Sequence, residues 1–563
     1  MAMTFDEAVA AVCGPGSPFE IADAEVMGMP TRIFPNLPAA VKSAFDIVRT
    51  RPADDVYLVY EDERWTNSEV LASVDSIGAA LVNEFGVKPG DRVAIYMRNY
   101  PEWVTSFGAI VSIGAIAVSV NAWWTGPEIE FGLVDSGAKV LITDGERIGR
   151  ISDRLVDLGV RAMVVRSTGD LPANAVHAAD VLQTGATLPQ VEIDPDADAT
   201  ILFTSGTTGT PKGAVSTNRA VMSGLFAFAC RTTVEGLRWA TKPEPTPPEF
   251  PPCFILTVPL FHVTGCVPVM LGSVVTGSKL VMLHKWDPLR ALELIQRERV
   301  TNFIGVPTMS QDLISHPKFS EFDTSSLKSV GGGGAPMPPE LVRKISTSFS
   351  GSATPQLGYG LTETNGYGPG NTGPDYLEKP ASTGRVVPIM QVKVVDSSGA
   401  SVPNGEVGEI CLNGPMLIRG YWNRPEATAE TIQNGWLHTG DLGYLDDEGF
   451  VFIVDRIKDM VLRGGENVYC SEVEAAIFEF PGVKEVAVFG LPHERLGEEV
   501  VAAILPHTGA TIDLDELQTF LEARIAKFMI PTQWFIRDEE LPRGATGKIL
   551  KREIRDRIMK GDF

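Results

Sequence analysis

Over the first half of the chain, short apolar runs alternate with longer amphipathic stretches, the pattern of strands alternating with helices. VYLVYEDERW (56–65) reads as strand material. It runs into Thr66-Asn67-Ser68-Glu69, a hydroxyl three residues ahead of a carboxylate, which is the capping box that opens a helix. RVAIYMR (92–98), a helix from about Pro101, AIAVSV (115–120), a helix from about Pro127, KVLITD (139–144) and AMVVRS (162–167) follow in order. The alternation resumes at Asp287-Pro288, an N-cap followed by proline at the first helical position, with LRALELIQRERV and the strand NFIGV behind it. Such alternation predicts an α/β fold of parallel sheets covered by helices, without internal repeats.

Two uncharged stretches have the length of a membrane span. Val104 to Trp124 carries Ser, Thr, Asn and two glycines and reads as helix, glycine break and strand; Phe250 to Ser278 is interrupted by four prolines and His262. Both are expected in the core. TKPEPTPPEFPP (241–252) is too proline-rich for helix or central strand and is expected as an extended surface loop. Near Asp455 the texture changes: VFIVDRIKDMVLRGGENVY packs charges between short strands around a glycine pair, and the residues after it read as a small, separate α+β unit. The expected division is a large N-terminal domain, 1–455, and a smaller mobile C-terminal domain, 456–563, with the hinge at 455 to 458.

Composition narrows the function classes. With 563 residues and 44% apolar side chains the chain has material for more than one core. A net charge of −23 argues against nucleic acid or an anionic bilayer as partner, so an anionic substrate must be met by local positive charge. The six cysteines, at 13, 230, 253, 266, 411 and 470, have no zinc-like or CxxC spacing and are expected as reduced packing residues. The acidic start MAMTFDEAVAAV lacks the basic region of a signal peptide, which gives a cytoplasmic expectation.

The chemistry concentrates in TSGTTGTPKG (204–213), which follows the apolar run ATILF. Glycines let the backbone close on an anion, hydroxyls donate to it, and a lysine adds a point charge, so the stretch reads as a phosphate loop. It is not a Walker loop, because Lys212 is followed by Gly213 instead of Ser or Thr. Nor is GYGLTE a dinucleotide fingerprint, since Glu363 stands where the third glycine belongs.

Downstream stand GYGLTE (358–363), HTGD (438–441), DRIKD (455–459), RGGENVY (463–469) and PRGATGKIL (542–550). With the loop, in this order, they resemble the adenylate-forming superfamily of acyl-CoA synthetases, peptide-synthetase adenylation domains and beetle luciferases. The resemblance runs from about residue 40 to about 555. It implies that a carboxylate attacks the α-phosphorus of ATP, that pyrophosphate leaves, and that the acyl group passes to a thiol.

Residue by residue, the resemblance implies that Thr204, Ser205, Gly206, Thr207, Thr208, Gly209 and Lys212 meet the phosphates, and that Thr204 and Glu363 hold Mg2+. Gly333, Gly334, Ala335, Pro336, Gly358, Tyr359, Gly360, Leu361 and Thr362 line the nucleotide, with Tyr359 against adenine. Asp441 takes the ribose hydroxyls and Arg456 makes a second nucleotide contact. His262, in PLFHVTG, stands beside the carboxylate, and Val263, Thr264, Gly331 and Gly332 line the acyl pocket. Lys548 bridges carboxylate and α-phosphate; with His262 and Glu363 it makes up the catalytic set. Lys458 is the hinge, and Gly464 and Gly465 line the tunnel for coenzyme A.

For several of these the residues alone leave a second reading open: a helix N-terminal carboxylate for Glu363, a core aromatic for Tyr359, a turn former for Asp441, a core histidine for His262, a surface lysine for Lys548. A plain flexible turn is the alternative for the glycines 331–334. NGWLHTGDLGYLDDEGFVFIVDRIKDMVLRGGENVY most resembles the fatty-acid branch, with Cys470 where many relatives have proline.

Small lining residues and the absence of a charged group for a second carboxylate favour a medium- or long-chain fatty acid, with aryl, branched or steroid-derived acids close behind. The substrates expected are thus ATP, coenzyme A and an apolar carboxylic acid, with Mg2+. A monomer or homodimer is expected, and peripheral membrane contact stays open. A luciferase-like oxidase, a carrier-loading adenylating enzyme and a non-enzymatic nucleotide sensor are the competing classes.

Overall fold

The computed structural model of the chain describes residues 3–38, 40–204, 211–239, 250–335, 337–349, 353–544 and 547–563. These pack into two compact units: Met1–Lys379 with Gly384–Gln391 and Leu412–Leu437, and Pro380–Thr383 with Val392–Cys411 and His438–Phe563.

The first unit has two large sheets, as the alternation predicts. One runs in the spatial order 420–421, 212–217, 198–204, 116–119, 92–96, 140–144, 161–165, 175–177. From Asp198–Thr204 outward to Ala175–His177 all its neighbours are parallel, and only the strands Lys212–Thr217 and Gly420–Tyr421 add antiparallel. The other runs 385–386, 369–372, 354–358, 329–333, 302–305, 253–256, 279–282, 56–60, 63–66, again parallel in its middle and antiparallel at both edges.

Local chemistry starts the helices where the sequence says. Thr66 and Glu69 form a complete capping box ahead of the helix Asn67–Asn83, and the Asp287 side chain accepts the Arg290 N–H ahead of Pro288–Glu298. Val104 to Trp124 resolves into the helix Pro101–Ser112, a turn at Gly114 with φ +73°, and the strand Ile116–Ser119. Every residue of Pro101–Ser112 except Glu102 is buried, because the helix packs on strands of both sheets. That explains its membrane-like composition: it has no polar face because it has no solvent face. No helix among the described residues is long and apolar enough to cross a membrane.

Of the expected proline-rich loop, residues 241–249 lie outside the described residues. All six cysteines are free; Cys13, at the end of the helix Phe5–Cys13, lies with its Sγ 3.3 Å from that of Cys230.

In the second unit, Gly497–Pro506 pairs antiparallel with Val483–His493 and Val461–Arg463 and parallel with Gln533–Ile536, under the helices Cys470–Phe478 and Leu514–Glu522. The expected hinge, 455 to 458, begins in the strand Val451–Arg456 and runs into the turn after it. Cys470 opens a helix: its backbone N–H donates to the Asp455 carboxylate and its thiol to the Asp459 carbonyl at 3.0 Å. Burial pushes this thiol up, so it stays protonated, which agrees with an inert packing role.

Candidate active site

The phosphate-loop stretch leaves one strand and enters another. Thr204, the last residue of Asp198–Thr204, lies directly opposite Lys212, the first of Lys212–Thr217, and the Thr204 hydroxyl donates to the Lys212 carbonyl at 3.3 Å. The ends of the loop are therefore pinned; Ser205, Gly206, Thr207, Thr208 and Gly209 lie outside the described residues.

What Lys212 meets was not legible in the sequence. Its ammonium sits 5.0 Å from the centre of the Tyr421 ring, and the Tyr421 hydroxyl donates to Glu363 Oε1 at 2.6 Å. Tyr421 reaches this place because the strand Gly420–Tyr421 pairs with Lys212–Thr217, while the Ile418 N–H donates to the Glu363 carbonyl at 2.9 Å. The Arg419 guanidinium forks onto the Asp198 carboxylate at 2.6 and 2.8 Å and holds the same segment. Burial, and the Glu363 charge after it, push the Tyr421 phenol up, so it acts as a neutral donor. The loop lysine, a tyrosine and the carboxylate expected to hold metal thus share one cluster.

Glu363 lies in a single tight turn, Thr362–Thr364, which is too short for the helix-terminus reading of its carboxylate. The turn is closed by the Leu361 N–H donating to Thr364 Oγ1 at 3.1 Å. Gly358 is exposed, Tyr359 is half-buried with its N–H on the Pro369 carbonyl, and a Cβ on Gly360 would overlap the Gly366 carbonyl.

The glycine run corrects one expectation. In place of a flexible turn, the strand Ser329–Gly333 runs through Gly331, Gly332 and Gly333, between Asn302–Gly305 and Thr354–Gly358. A Cβ on Gly331 would overlap the Gln356 carbonyl, one on Gly332 the Gly305 carbonyl, and one on Gly333 the Gly358 carbonyl. Close approach of neighbouring strands therefore requires these glycines, and the flexible-turn reading fails. Gly334 and Ala335 follow the strand, and Pro336 lies outside the described residues.

His262 accepts the Thr264 N–H on Nδ1 at 3.3 Å, which leaves Nε2 to carry the proton of the neutral ring. Val263 is buried against Gly366, whose Cβ would stand 3.5 Å from Val263 Cγ2, so PLFHVTG lies beside the loop that follows GYGLTE. Thr264 is half-buried just ahead of the helix Gly265–Leu271.

The remaining candidates lie in the second unit. Asp441, 3% exposed, pairs across the strands with Arg456, and its carboxylate meets Arg456 Nε at 3.0 Å. Lys548 is half-buried in the same electrostatic field: burial pushes its ammonium down to about 8, Arg456 and Lys458 push the same way, and Asp441 opposes them. Lys458 is exposed in the turn after Val451–Arg456. Gly464 and Gly465 form the turn between Val461–Arg463 and Glu466–Val468; Gly465 has φ +93° and open space where a Cβ would point.

No local sequence pattern marks Tyr421, or Glu409 and His438, which bond to each other through Oε2 and Nδ1. His438 stood in the quoted HTGD, but its partner lies in another strand. A cluster of Glu409, Cys411 and His438 is close enough to suggest a metal site; burial and the Glu409 charge, however, push the Cys411 thiol up to about 12, away from the thiolate a metal needs.

Residues 45–422 match the model of the AMP-binding enzyme family, and residues 472–548 that of the AMP-binding enzyme C-terminal domain. A feruloyl-CoA synthase of Amycolatopsis is 35% identical over 481 residues, 84% of this chain and 90% of that protein. The long-chain-fatty-acid–CoA ligase FadD13 of Mycobacterium tuberculosis is 35% identical over 502 residues, 88% of this chain and 93% of that protein. Among solved structures, the o-succinylbenzoate CoA synthetase MenE of Bacillus subtilis, in complex with its acyl-adenylate intermediate, superposes with a TM-score of 0.76 at 28% identity, covering 91% of this chain and 98% of that one. The two-unit α/β architecture, the ordered motifs and these matches agree: the chain belongs to the AMP-binding enzyme family, in its AMP-forming acid–thiol ligase class.

Proposed function

We propose that the protein activates a medium- or long-chain fatty acid, or a similar apolar carboxylic acid, with ATP and passes the acyl group to coenzyme A, releasing AMP and pyrophosphate. The observation that carries this reading is the Lys548 ammonium, half-buried and depressed to about 8 beside Asp441 and Arg456. An ammonium so placed is suited to neutralising charge as carboxylate and α-phosphate join, and it is more effective there than in water.

In this reading Lys212 and the 204–212 loop hold the β- and γ-phosphates, Asp441 accepts from the ribose hydroxyls, and His262, Val263 and Thr264 face the acid. The Thr204 hydroxyl and Glu363 carboxylate are hard oxygen donors that fit Mg2+, which supplies charge neutralisation on the phosphates when bound. The Tyr421 hydroxyl, bonded to Glu363 Oε1, would orient that carboxylate. A hinge at 455 to 458 centred on Lys458, with domains 1–455 and 456–563, separates adenylation from thioester formation, and the Gly464-Gly465 turn lines the path of the thiol arm.

A second reading, an aryl-acid substrate, is supported by the feruloyl-CoA synthase, whose identity to this chain equals that of the fatty-acid ligase. One assay separates the readings. The protein is incubated with ATP, Mg2+, coenzyme A and a panel of acids from hexanoate to stearate with ferulate and 4-coumarate. AMP release is then ranked. ADP release with any acid overturns the adenylation reading itself, and preference for the aryl acids replaces the fatty-acid proposal.

A further inference from the structure

We infer that Glu409 is a positioning residue for the nucleotide's ribose: it fixes the HTGD turn and thereby aims Asp441. This rests on the reading of Asp441 as the ribose acceptor.

Both oxygens of the Glu409 carboxylate are used. Oε2 accepts from His438 Nδ1 at 2.7 Å, and Oε1 accepts the backbone N–H of Gly440 at 3.0 Å. The next residue on the same strand, Ile410, accepts from the Thr439 hydroxyl at 2.7 Å, and that hydroxyl accepts the Asp441 N–H at 3.1 Å. Three consecutive residues, His438, Thr439 and Gly440, are thus tied to the strand Gly408–Asn413 ahead of the buried Asp441.

The turn needs such ties. Gly440 has φ +71°, the left-handed region, in the middle of the long strand Trp436–Leu445, so the chain leaves regular pairing there. The Gly440 N–H goes to the Glu409 carboxylate. Beyond the turn, the Gly440 carbonyl accepts the Ile457 N–H at 2.9 Å, next to Arg456, which meets the Asp441 carboxylate. Glu409 therefore holds the turn from one side and the strand that carries Arg456 holds it from the other, and Asp441 stands at the end of the held turn.

A carboxylate aimed in this way discriminates nucleotides by their ribose hydroxyls. The test is calorimetric binding of ATP and of 2′,3′-dideoxy-ATP to the full-length protein without acid, in wild type, Asp441→Asn, Glu409→Ala and Glu409→Gln, each with its thermal midpoint. The wild type is expected to prefer ATP, and Asp441→Asn to abolish the preference. Glu409→Ala should cut the preference roughly tenfold, the scale of one hydrogen bond to a charged group.

Glu409→Gln should keep most of the preference, because the amide oxygen still accepts the Gly440 N–H and the amide N–H reaches Nδ1 of the other histidine tautomer. A purely structural role would lower the thermal midpoint in Glu409→Ala and leave the ratio of the two affinities unchanged, which overturns the inference. No preference in the wild type, or an undiminished one in Asp441→Asn, overturns the ribose reading of Asp441 and this inference with it.

Discussion

The Tyr421 hydroxyl donates to Glu363 Oε1 at 2.6 Å while the Tyr421 ring lies under the Lys212 ammonium, so one aromatic side chain ties the phosphate-loop lysine to the carboxylate proposed to hold metal. Tyr421→Phe keeps the ring and removes the bond. We expect adenylation, followed as pyrophosphate release, to fall about tenfold at fixed Mg2+, the scale of a hydrogen bond to a charged acceptor, and to recover in part as Mg2+ is raised. Unchanged Mg2+ dependence would mean that Tyr421 does not orient a metal-holding carboxylate.

Lys548→Ala removes the ammonium proposed for the first half-reaction only. Adenylate formation should fall on the order of 10² to 10³ or more, while conversion of a supplied acyl-adenylate and coenzyme A to thioester continues near the wild-type rate. Equal loss of both half-reactions in a folded variant removes Lys548 from this role.

The pH dependence follows from the same residue. In the free protein Lys548 is held at about 8 against an ordinary 10.5, with Arg456 and Lys458 adding to burial and Asp441 opposing. The protonated form is the one that neutralises charge, so kcat/KM for adenylation should fall as pH rises through about 8. Bound phosphates favour the ammonium, and kcat should hold to higher pH.

Stability takes the opposite sign. Between 8 and 10.5 the unfolded chain binds a proton that the folded chain has released, so the contribution of Lys548 to stability grows with pH across that window and is lost below it. In Lys548→Arg, which stays charged, the alkaline fall in kcat/KM should vanish; if it persists, another group causes it.

Gly332→Ala should destabilise the first unit by about 3 kcal/mol or more, because the added Cβ overlaps the Gly305 carbonyl of a paired strand and a backbone cannot yield as a side chain does. Gly358→Ala is the contrast: its Cβ would lie 4.0 Å from the Gly332 carbonyl oxygen, and the cost should stay below about 1 kcal/mol. Denaturant midpoints at equal slope measure both, and equal costs would refute the close-approach explanation of the glycine run.

Gly465→Leu should leave pyrophosphate release intact and block thioester formation, since the space where its Cβ would point is open and is proposed to admit the thiol arm. Gly465 also has φ +93°, so Gly465→Asn, which tolerates such a backbone, separates turn strain from obstruction: it should retain more thioester activity than the leucine variant. Full turnover in Gly465→Leu would remove the tunnel from the reading.

Much of the fold was legible because its causes are local. The capping box at Thr66 and Glu69, the Asp287-Pro288 start and the glycine break at 114 act through neighbours a few residues away, and each stands where the pattern puts it. The glycine run was legible as glycine and illegible as strand. Nothing in GGGG says that three carbonyls of adjacent strands crowd against it, since Gly305, Gln356 and Gly358 arrive there only through sheet pairing.

By itself the sequence determined the family, the alternation of elements and the identity of the chemical groups, because these are carried by side-chain type and short-range spacing. Only the tertiary structure decided what those groups touch. Tyr421 reaches Glu363 across 58 residues and Glu409 reaches His438 across 29, each through a strand pairing that no local pattern encodes, and the Lys548 ammonium is depressed by burial among charges nearly a hundred residues away. Hydrogen bonds and electrostatic fields depend on distance in space, and the fold alone sets that distance.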